Sequence, residues 1–309
     1  MGKSKNFNLF LMDGDVGGRI KCTIANWTGL AFKIPNSYLE KCKNRQDLKQ
    51  SGVYFLFGKD ENGDDDVYVG QAGIRKNGEG ILYRVVEHLS DVSMFNDAVI
   101  LTTQNNSFGP TEISYLENRF TNLAKQAGRY IVRNANDPNA GNVTEEKESE
   151  LEDFIEYSKM VIGVLGYKIF VPILKNEEET NIITNNSTDD KELDLYLTIK
   201  TKKEGHEIKA RCKKTSEGFV VLKGSMIVAE SAETSPESLK NMREKAMEQG
   251  EIVDGRITKD YLFGSASYAA SFIIGASMNG RIYWKTESGM TLKKYEELRK
   301  EEIQQDLKK

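Results

Sequence analysis

Five residues of types that transfer protons or bind ions lie in one stretch of the chain. Tyr54 and Tyr68 each stand in an alternating apolar run, out of step with its purely apolar face. Arg84 and His88 are four residues apart in a helical pattern, which puts a guanidinium and an imidazole on one stripe of a helix. Glu117 lies at the edge of the apolar face of a second helical pattern. A carboxylate there loses hydration, so it requires a cation, a metal ion or several hydrogen-bond donors as its partner.

The two tyrosines are predicted to stand on a hairpin. Apolar alternation at residues 53–57 and 67–69 flanks a turn-rich segment at residues 60–64, a pattern typical of two paired strands. A third strand is predicted at Ala98–Thr102. One tyrosine therefore stands on each strand of the hairpin.

Two predicted helices carry the charged groups. In the first, Leu82, Val85 and Leu89 form an apolar stripe that is expected to face the core. The second runs from Pro110 to Ala127, and Glu117 borders a set of apolar residues at helical spacing: Ile113, Leu116, Phe120, Leu123 and Ala127.

Four short motifs follow one another in this stretch. They are Gly52-Val53-Tyr54, Tyr68-Val69-Gly70, Arg84 with His88 four residues later, and Leu116-Glu117-Asn118. In this order the motifs resemble those of the GIY-YIG nuclease family. The sequence departs from that family in two places. Residues 74–80 lengthen the gap between the second and third motifs, and the late asparagine of the family is matched best by Asn134, which is not at its commonest place.

The resemblance implies an α+β fold, in which a three-stranded antiparallel sheet is flanked by helices. It also implies metal-dependent hydrolysis of DNA phosphodiesters. Glu117 would ligate a single divalent ion, Tyr68 would be the general base or a relay to one, and Arg84 would bind a phosphate oxygen. The charge of Arg84 would also favour a neighbouring phenolate, since an unperturbed tyrosine has a pKa of about 10. Tyr54 and His88 would orient the water and the phosphate, and Asn134 is carried over as a further catalytic residue.

Other interpretations of the same residues stay open. The tyrosines can be packed amphipathic side chains, and His88 can be a core histidine. Glu117 can form a structural salt bridge with Arg84, which would leave no metal site. The chain would then be a non-catalytic nucleic-acid-binding or assembly module on the same fold.

The composition restricts the metal. Two histidines and three widely separated cysteines, Cys22, Cys42 and Cys212, cannot supply a histidine-rich or paired-cysteine zinc site within one chain. A catalytic metal would be held by carboxylates, which favours Mg²⁺ or Mn²⁺. No P-loop or dinucleotide fingerprint is present, so we expect no small-molecule cofactor.

The formal net charge is −4, so nucleic-acid binding requires local basic patches. One predicted strand pair carries such a patch, with DNA as the expected partner: Lys200, Lys202, Lys203, Lys209, Arg211 and Lys213. In the same segment Asp194, Glu207 and Lys209 match the loose D, E-x-K pattern of another nuclease fold. A site at these three residues is a rival hypothesis.

The chain divides into an N-terminal hairpin extension at residues 1–50, the nuclease-like domain at 51–174, a polar linker at 175–192 and a small mixed α/β domain at 193–309. Residues 216–295 resemble a domain of unknown function that often follows GIY-YIG domains. This domain is expected to set the target or to bind a protein partner. No run approaches the ~18 apolar residues of a membrane span, and the N-terminal residues lack a signal-peptide pattern. We therefore expect a cytoplasmic protein without a membrane partner.

Overall fold

The computed structural model describes residues 4–60, 63–91, 95–134, 138–174, 192–200, 207–233 and 235–308. The chain forms two compact units, residues 1–172 and residues 173–309. Of the linker predicted at residues 175–192, only residue 192 is described, and residues 175–191 lie outside the described part of the chain.

The first unit is built on a sheet of seven described strands in the order β1-β2-β3-β6-β4-β5-β7. All described neighbours pair antiparallel except β5 and β7, which pair parallel. The strands are β1 (Phe7–Leu11), β2 (Ile20–Ile24), β3 (Gly29–Pro35), β4 (Gly52–Lys59), β5 (Asp65–Ala72), β6 (Phe95–Thr103) and β7 (Ile131–Val132).

Strand β4 is covered on both faces, because apolar side chains alternate between two separate clusters. Val53, Phe55 and Phe57 pack on one side with residues of the helices α2 (Pro110–Ala127) and α3 (Glu145–Val164). Tyr54 and Leu56 pack on the other side with residues of α1 (Ile81–Asp91). The alternation of β4 therefore places Tyr54 on the side of the sheet that α1 covers.

The three predicted strands and two predicted helices of this stretch are confirmed, as is the N-terminal hairpin. The sequence pattern did not predict β3 or β7. Strand β3 joins the hairpin to the central sheet, so the first fifty residues contribute three strands to the same sheet. The prediction that Leu89 faces the core is wrong. Its side chain is 51% exposed, because the apolar stripe that packs on the sheet consists of Ile81, Leu82 and Val85.

The second unit contains a four-stranded described sheet in the order β13-β10-β9-β8 and a two-stranded sheet formed by β11 and β12. The strands are β8 (Leu193–Lys200), β9 (Glu207–Thr215), β10 (Gly218–Val221), β11 (Ile252–Val253), β12 (Arg256–Ile257) and β13 (Tyr261–Phe263). The helices are α4 (Glu237–Glu248), α5 (Ala266–Ile274), α6 (Gly280–Tyr283) and α7 (Leu292–Asp306).

Two further apolar segments of this unit, which the sequence pattern predicts as strands, do not form strands. Residues 225–230 form only an isolated bridge at Met226, and residues 281–285 begin in the short helix α6. Asn279 caps that helix, since its side chain accepts a hydrogen bond from the Arg281 amide at 3.2 Å. A Cβ at Gly280 would lie 1.9 Å from the Ala266 carbonyl oxygen, so only glycine allows the close approach of α6 to α5. Among the described helices, none is both long and apolar enough to cross a lipid bilayer.

Candidate functional site

The ring of Tyr54 lies across the backbone of Gly70. The two residues are direct cross-strand partners of β4 and β5. A Cβ at Gly70 would stand 2.4 Å from the Tyr54 hydroxyl, closer than any real contact. The glycine of the second motif therefore makes room for the tyrosine of the first.

Tyr54, Tyr68 and His88 form one aromatic cluster. The Tyr54 hydroxyl shares a 2.7 Å hydrogen bond with Nε2 of His88, and these two side chains are only 1% and 5% exposed. The ring centroid of Tyr68 is 5.0 Å from that of His88 and 6.3 Å from that of Tyr54. Tyr68 keeps part of its surface exposed, so it is the more accessible phenol of the cluster.

The surroundings of the two phenols disfavour their ionised forms. Burial raises the pKa of Tyr54, and the neighbouring Tyr68 adds to the rise. Burial also raises the pKa of Tyr68, and the carboxylate of Glu117 acts in the same direction. The positive charge of Arg84 opposes the rise in the pKa of both tyrosines. The charges of Arg84 and Glu117 therefore lie near enough to both phenols to influence their ionisation.

Arg84 forms an ion pair with Glu87, one helical turn further along α1, at 2.9 Å. Glu87 also pairs with Arg75, which lies in the loop between β5 and α1, at 2.9 Å. These two guanidiniums, with Arg75 the stronger influence, lower the pKa of Glu87 to about 2. Arg84 therefore carries its charge at the site while Glu87 holds it in place.

Glu117 forms no ion pair with any residue in the described part of the chain, and the partner of Arg84 is Glu87 rather than Glu117. Burial raises the pKa of the Glu117 carboxyl, and a hydrogen bond from Gln71 opposes that rise. No group of three histidine, cysteine, aspartate or glutamate side chains suited to a metal occurs within the described ranges. A metal at Glu117 would thus have one protein carboxylate, a ligand set that Mg²⁺ accepts when water and substrate phosphate complete it.

Asn134 contacts the main chain of the strand that carries Tyr68. Its side chain accepts a hydrogen bond from the Val69 amide at 3.1 Å and donates one to the Val69 carbonyl at 2.8 Å. These bonds extend the pairing of β5 beyond β7. The structure therefore places Asn134 on the main chain of Val69, the residue that follows Tyr68.

The basic strand pair lies in the second unit. Lys200 is on β8, and Lys209, Arg211 and Lys213 are on β9, whereas Lys202 and Lys203 lie outside the described residues.

The rival nuclease site is not assembled. Asp194 pairs with Lys213 and Glu207 pairs with Lys200, so the two acids stand at opposite ends of β8. A separation of six strand residues is about 20 Å, too far for two carboxylates to share a metal.

Comparison with known proteins identifies part of the second unit. Residues 200–296 match the family model described as Domain of unknown function (DUF4357). This confirms the resemblance of the C-terminal segment to a domain of unknown function. No GIY-YIG family model matched residues 51–136. No curated protein and no solved structure matched the chain at the significance required.

Several residues beside the phenol cluster and beside β8 were not indicated by the sequence patterns. Arg75, Glu87 and Gln71 lie beside the phenol cluster, and Lys285 lies beside β8 just within the DUF4357 match. The spacing of Arg84 and Glu87 was a usable signal, because residues three apart on a helix are neighbours. The contacts of Arg75 and Lys285 depend on tertiary structure and had no local signal.

Proposed function

We propose that residues 1–172 form a divalent-metal-dependent endonuclease that hydrolyses DNA phosphodiester bonds. The observation that supports this most is the shared site of two phenols, a guanidinium and a carboxylate that has no described ion-pair partner. Phosphodiester hydrolysis requires an activated water, positive charge at the phosphate and assistance to the leaving oxygen. The resemblance of the four motifs to the GIY-YIG family supports the same reaction.

The solvent exposure of each residue determines the role that we assign to it. Tyr68, the more exposed phenol, takes the proton of the attacking water or relays it. Tyr54 and His88, which are buried and hydrogen-bonded to one another, fix the position of Tyr68. Arg84 binds a phosphate oxygen, and its charge makes the Tyr68 phenolate less costly. Asn134 holds the Val69 main chain, so it positions Tyr68 through β5.

Glu117 is the residue that would hold Mg²⁺ or Mn²⁺. A partly buried carboxylate without an ion pair is an unbalanced negative charge, which a hard divalent cation compensates. When bound, the ion would supply Lewis-acid stabilisation of the charge on the phosphate and leaving oxygens. Gln71, whose side-chain amide donates to the Ser114 hydroxyl at 3.0 Å, lies near the carboxylate and favours its ionised form.

Plasmid nicking in the presence of Mg²⁺ tests the proposal. We expect nicking by the wild-type chain and a loss of at least about a hundredfold in the Glu117→Gln variant, since its metal ligand is replaced by a neutral amide. Glu112→Gln is the matched control, because it changes a glutamate in the first turn of the same helix. Equal nicking by wild type and Glu117→Gln would remove the assigned site.

A second candidate function is non-catalytic nucleic-acid binding or assembly on the same fold. The raised pKa of both tyrosines favours it, because protonated phenols are not bases. The two functions differ in their response to metal. Spectral or thermal changes on adding Mg²⁺ that depend on Glu117 are expected of the enzyme and not of the binding module.

A further inference from the structure

The outer face of the four-stranded sheet in the second unit carries an exposed aromatic ring among cations. Burial alternates along β8 and β9, so every second side chain points away from the core of this unit. Tyr196 is 38% exposed on this face. The other outward residues are Asp194, Thr198 and Lys200 on β8, and Glu207, Lys209, Arg211 and Lys213 on β9.

The register places Tyr196 between two cations. On one side it is the direct partner of Arg211. On the other side it pairs with Lys285, with which it exchanges two main-chain hydrogen bonds of 2.7 and 2.9 Å. Directly opposite residues of antiparallel chains project to the same face, with Cβ atoms about 4.5–5.5 Å apart. Arg211, Tyr196 and Lys285 therefore form a row across the face, and all three are exposed.

Further cations lie along β9 on both sides of Arg211. Lys209 and Lys213 are two residues away in either direction, about 6.8 Å along the strand. Lys209 pairs with the exposed Glu207 at 3.0 Å. Arg211 has no ion pair with any residue that the structure describes. The Lys213 side chain is only 17% exposed and pairs with Glu192 at 3.5 Å, so a polyanion that follows the strand would meet Lys209 and Arg211.

We infer that this face binds single-stranded nucleic acid, with a base stacked on Tyr196 and the phosphates on Arg211, Lys285 and Lys209. Open sheets bind single strands in this way, because aromatic rings stack with unpaired bases while basic groups follow the backbone. A duplex hides the faces of its bases, so it cannot use the ring. An acidic peptide would use the cations but has no base to stack on Tyr196.

The inference rests on the proposed function only for the class of ligand. It assigns no catalytic role to the second unit, and binding is measured with EDTA present. A failure to nick DNA would therefore not alter the binding result, and a failure to bind here would leave Glu117 and Tyr68 untouched.

The test measures binding of a labelled oligodeoxythymidine of about 12 nucleotides, a usual site size, to the full-length chain by fluorescence anisotropy. Tyr196→Ala should raise the Kd about tenfold, whereas Tyr196→Phe, which keeps the ring, should stay within about twofold. Arg211→Ala and Lys285→Ala should each lower the slope of log K against log salt by about 0.7. Lys300→Ala is the matched control, since α7 packs against the opposite side of the sheet through Leu292 and the Glu296–Lys214 pair.

Photo-crosslinking locates the bound strand independently of affinity. An oligonucleotide carrying 5-iodouracil should crosslink to the peptide that contains Tyr196, and an acidic polyglutamate competitor should displace it poorly. The inference is overturned if the crosslinks map only to other peptides, if Tyr196→Ala binds as tightly as wild type, or if duplex of the same length binds more tightly than the single strand.

Discussion

At the scale of single residues, the two phenols of the site differ in what they can reach. Tyr54 is buried and its hydroxyl is hydrogen-bonded to His88, whereas Tyr68 is partly accessible to solvent. A general base must touch the water that it activates, so the accessible phenol suits that role better. The buried phenol of Tyr54 suits the role of a positioning group.

The Glu117 carboxylate should decrease the stability of the metal-free fold at neutral pH. Its pKa is raised by burial above the ordinary value for glutamate, so the folded state binds a proton more tightly than the unfolded state. The contribution of Glu117 to the free energy of unfolding is therefore highest below the ordinary pKa of about 4.3 and decreases as pH rises through the raised folded value. Glu117→Gln should remove this decrease and raise the Tm at pH 7 relative to wild type.

Magnesium should reverse the order of the two Tm values at pH 7, so that wild type is more stable than Glu117→Gln. Because the ion binds the folded carboxylate, it should raise the Tm of wild type and leave Glu117→Gln unchanged. Thermal unfolding of both proteins at pH 4 and pH 7, with EDTA or Mg²⁺, checks both effects. A Mg²⁺ shift of equal size in the two proteins would show that the metal binds elsewhere.

At the scale of elements, local patterns predicted most of the site, and contacts distant in sequence were missed. Alternation predicted β4 and β5, the apolar segment Ala98–Thr102 predicted β6, and helical spacing predicted α1 and α2, because these patterns arise within each element. Strand β3 was missed because it is buried along most of its length without alternation, and β7 because it has only two residues. The Glu87 contact with Arg75 joins a loop to a helix, and no single-element pattern encodes it.

That contact gives a prediction for substrate binding. Glu87 pairs with both Arg75 and Arg84 and offsets part of their charge, so Glu87→Gln should increase the positive potential at the site. In the proposed function, DNA affinity should rise about threefold to tenfold, with a steeper salt dependence. Titration of a labelled duplex in EDTA measures this change.

Glu79→Gln is the control for that variant, because among the described residues Glu79 forms an ion pair only with Arg75, at the longer distance of 3.7 Å. It should change affinity much less. If both variants increase affinity equally, the effect is one of net charge and not of Arg84.

At the scale of the whole molecule, each unit has its own core and its own tryptophan. Trp27 packs in the core of the first unit, and Trp284 is fully buried in that of the second, where its indole donates to the Ala266 carbonyl at 3.0 Å. The two cores have no residue in common. A change in one core should therefore be visible first at the tryptophan of that unit.

Arg243 offers a selective change in the second unit. This buried guanidinium on α4 donates to the carbonyls of Phe272 and Val228, and burial lowers its pKa to about 10. Arg243→Ala would leave both carbonyls without these donors and open a cavity, at a cost of about 3 kcal/mol. With 5-fluorotryptophan incorporated, urea unfolding followed by ¹⁹F resonances should show the Trp284 transition at lower urea and the Trp27 transition unmoved. Glu244→Ala, at the exposed neighbouring position, should move neither, and a joint shift of both resonances in Arg243→Ala would show that the two units unfold as one.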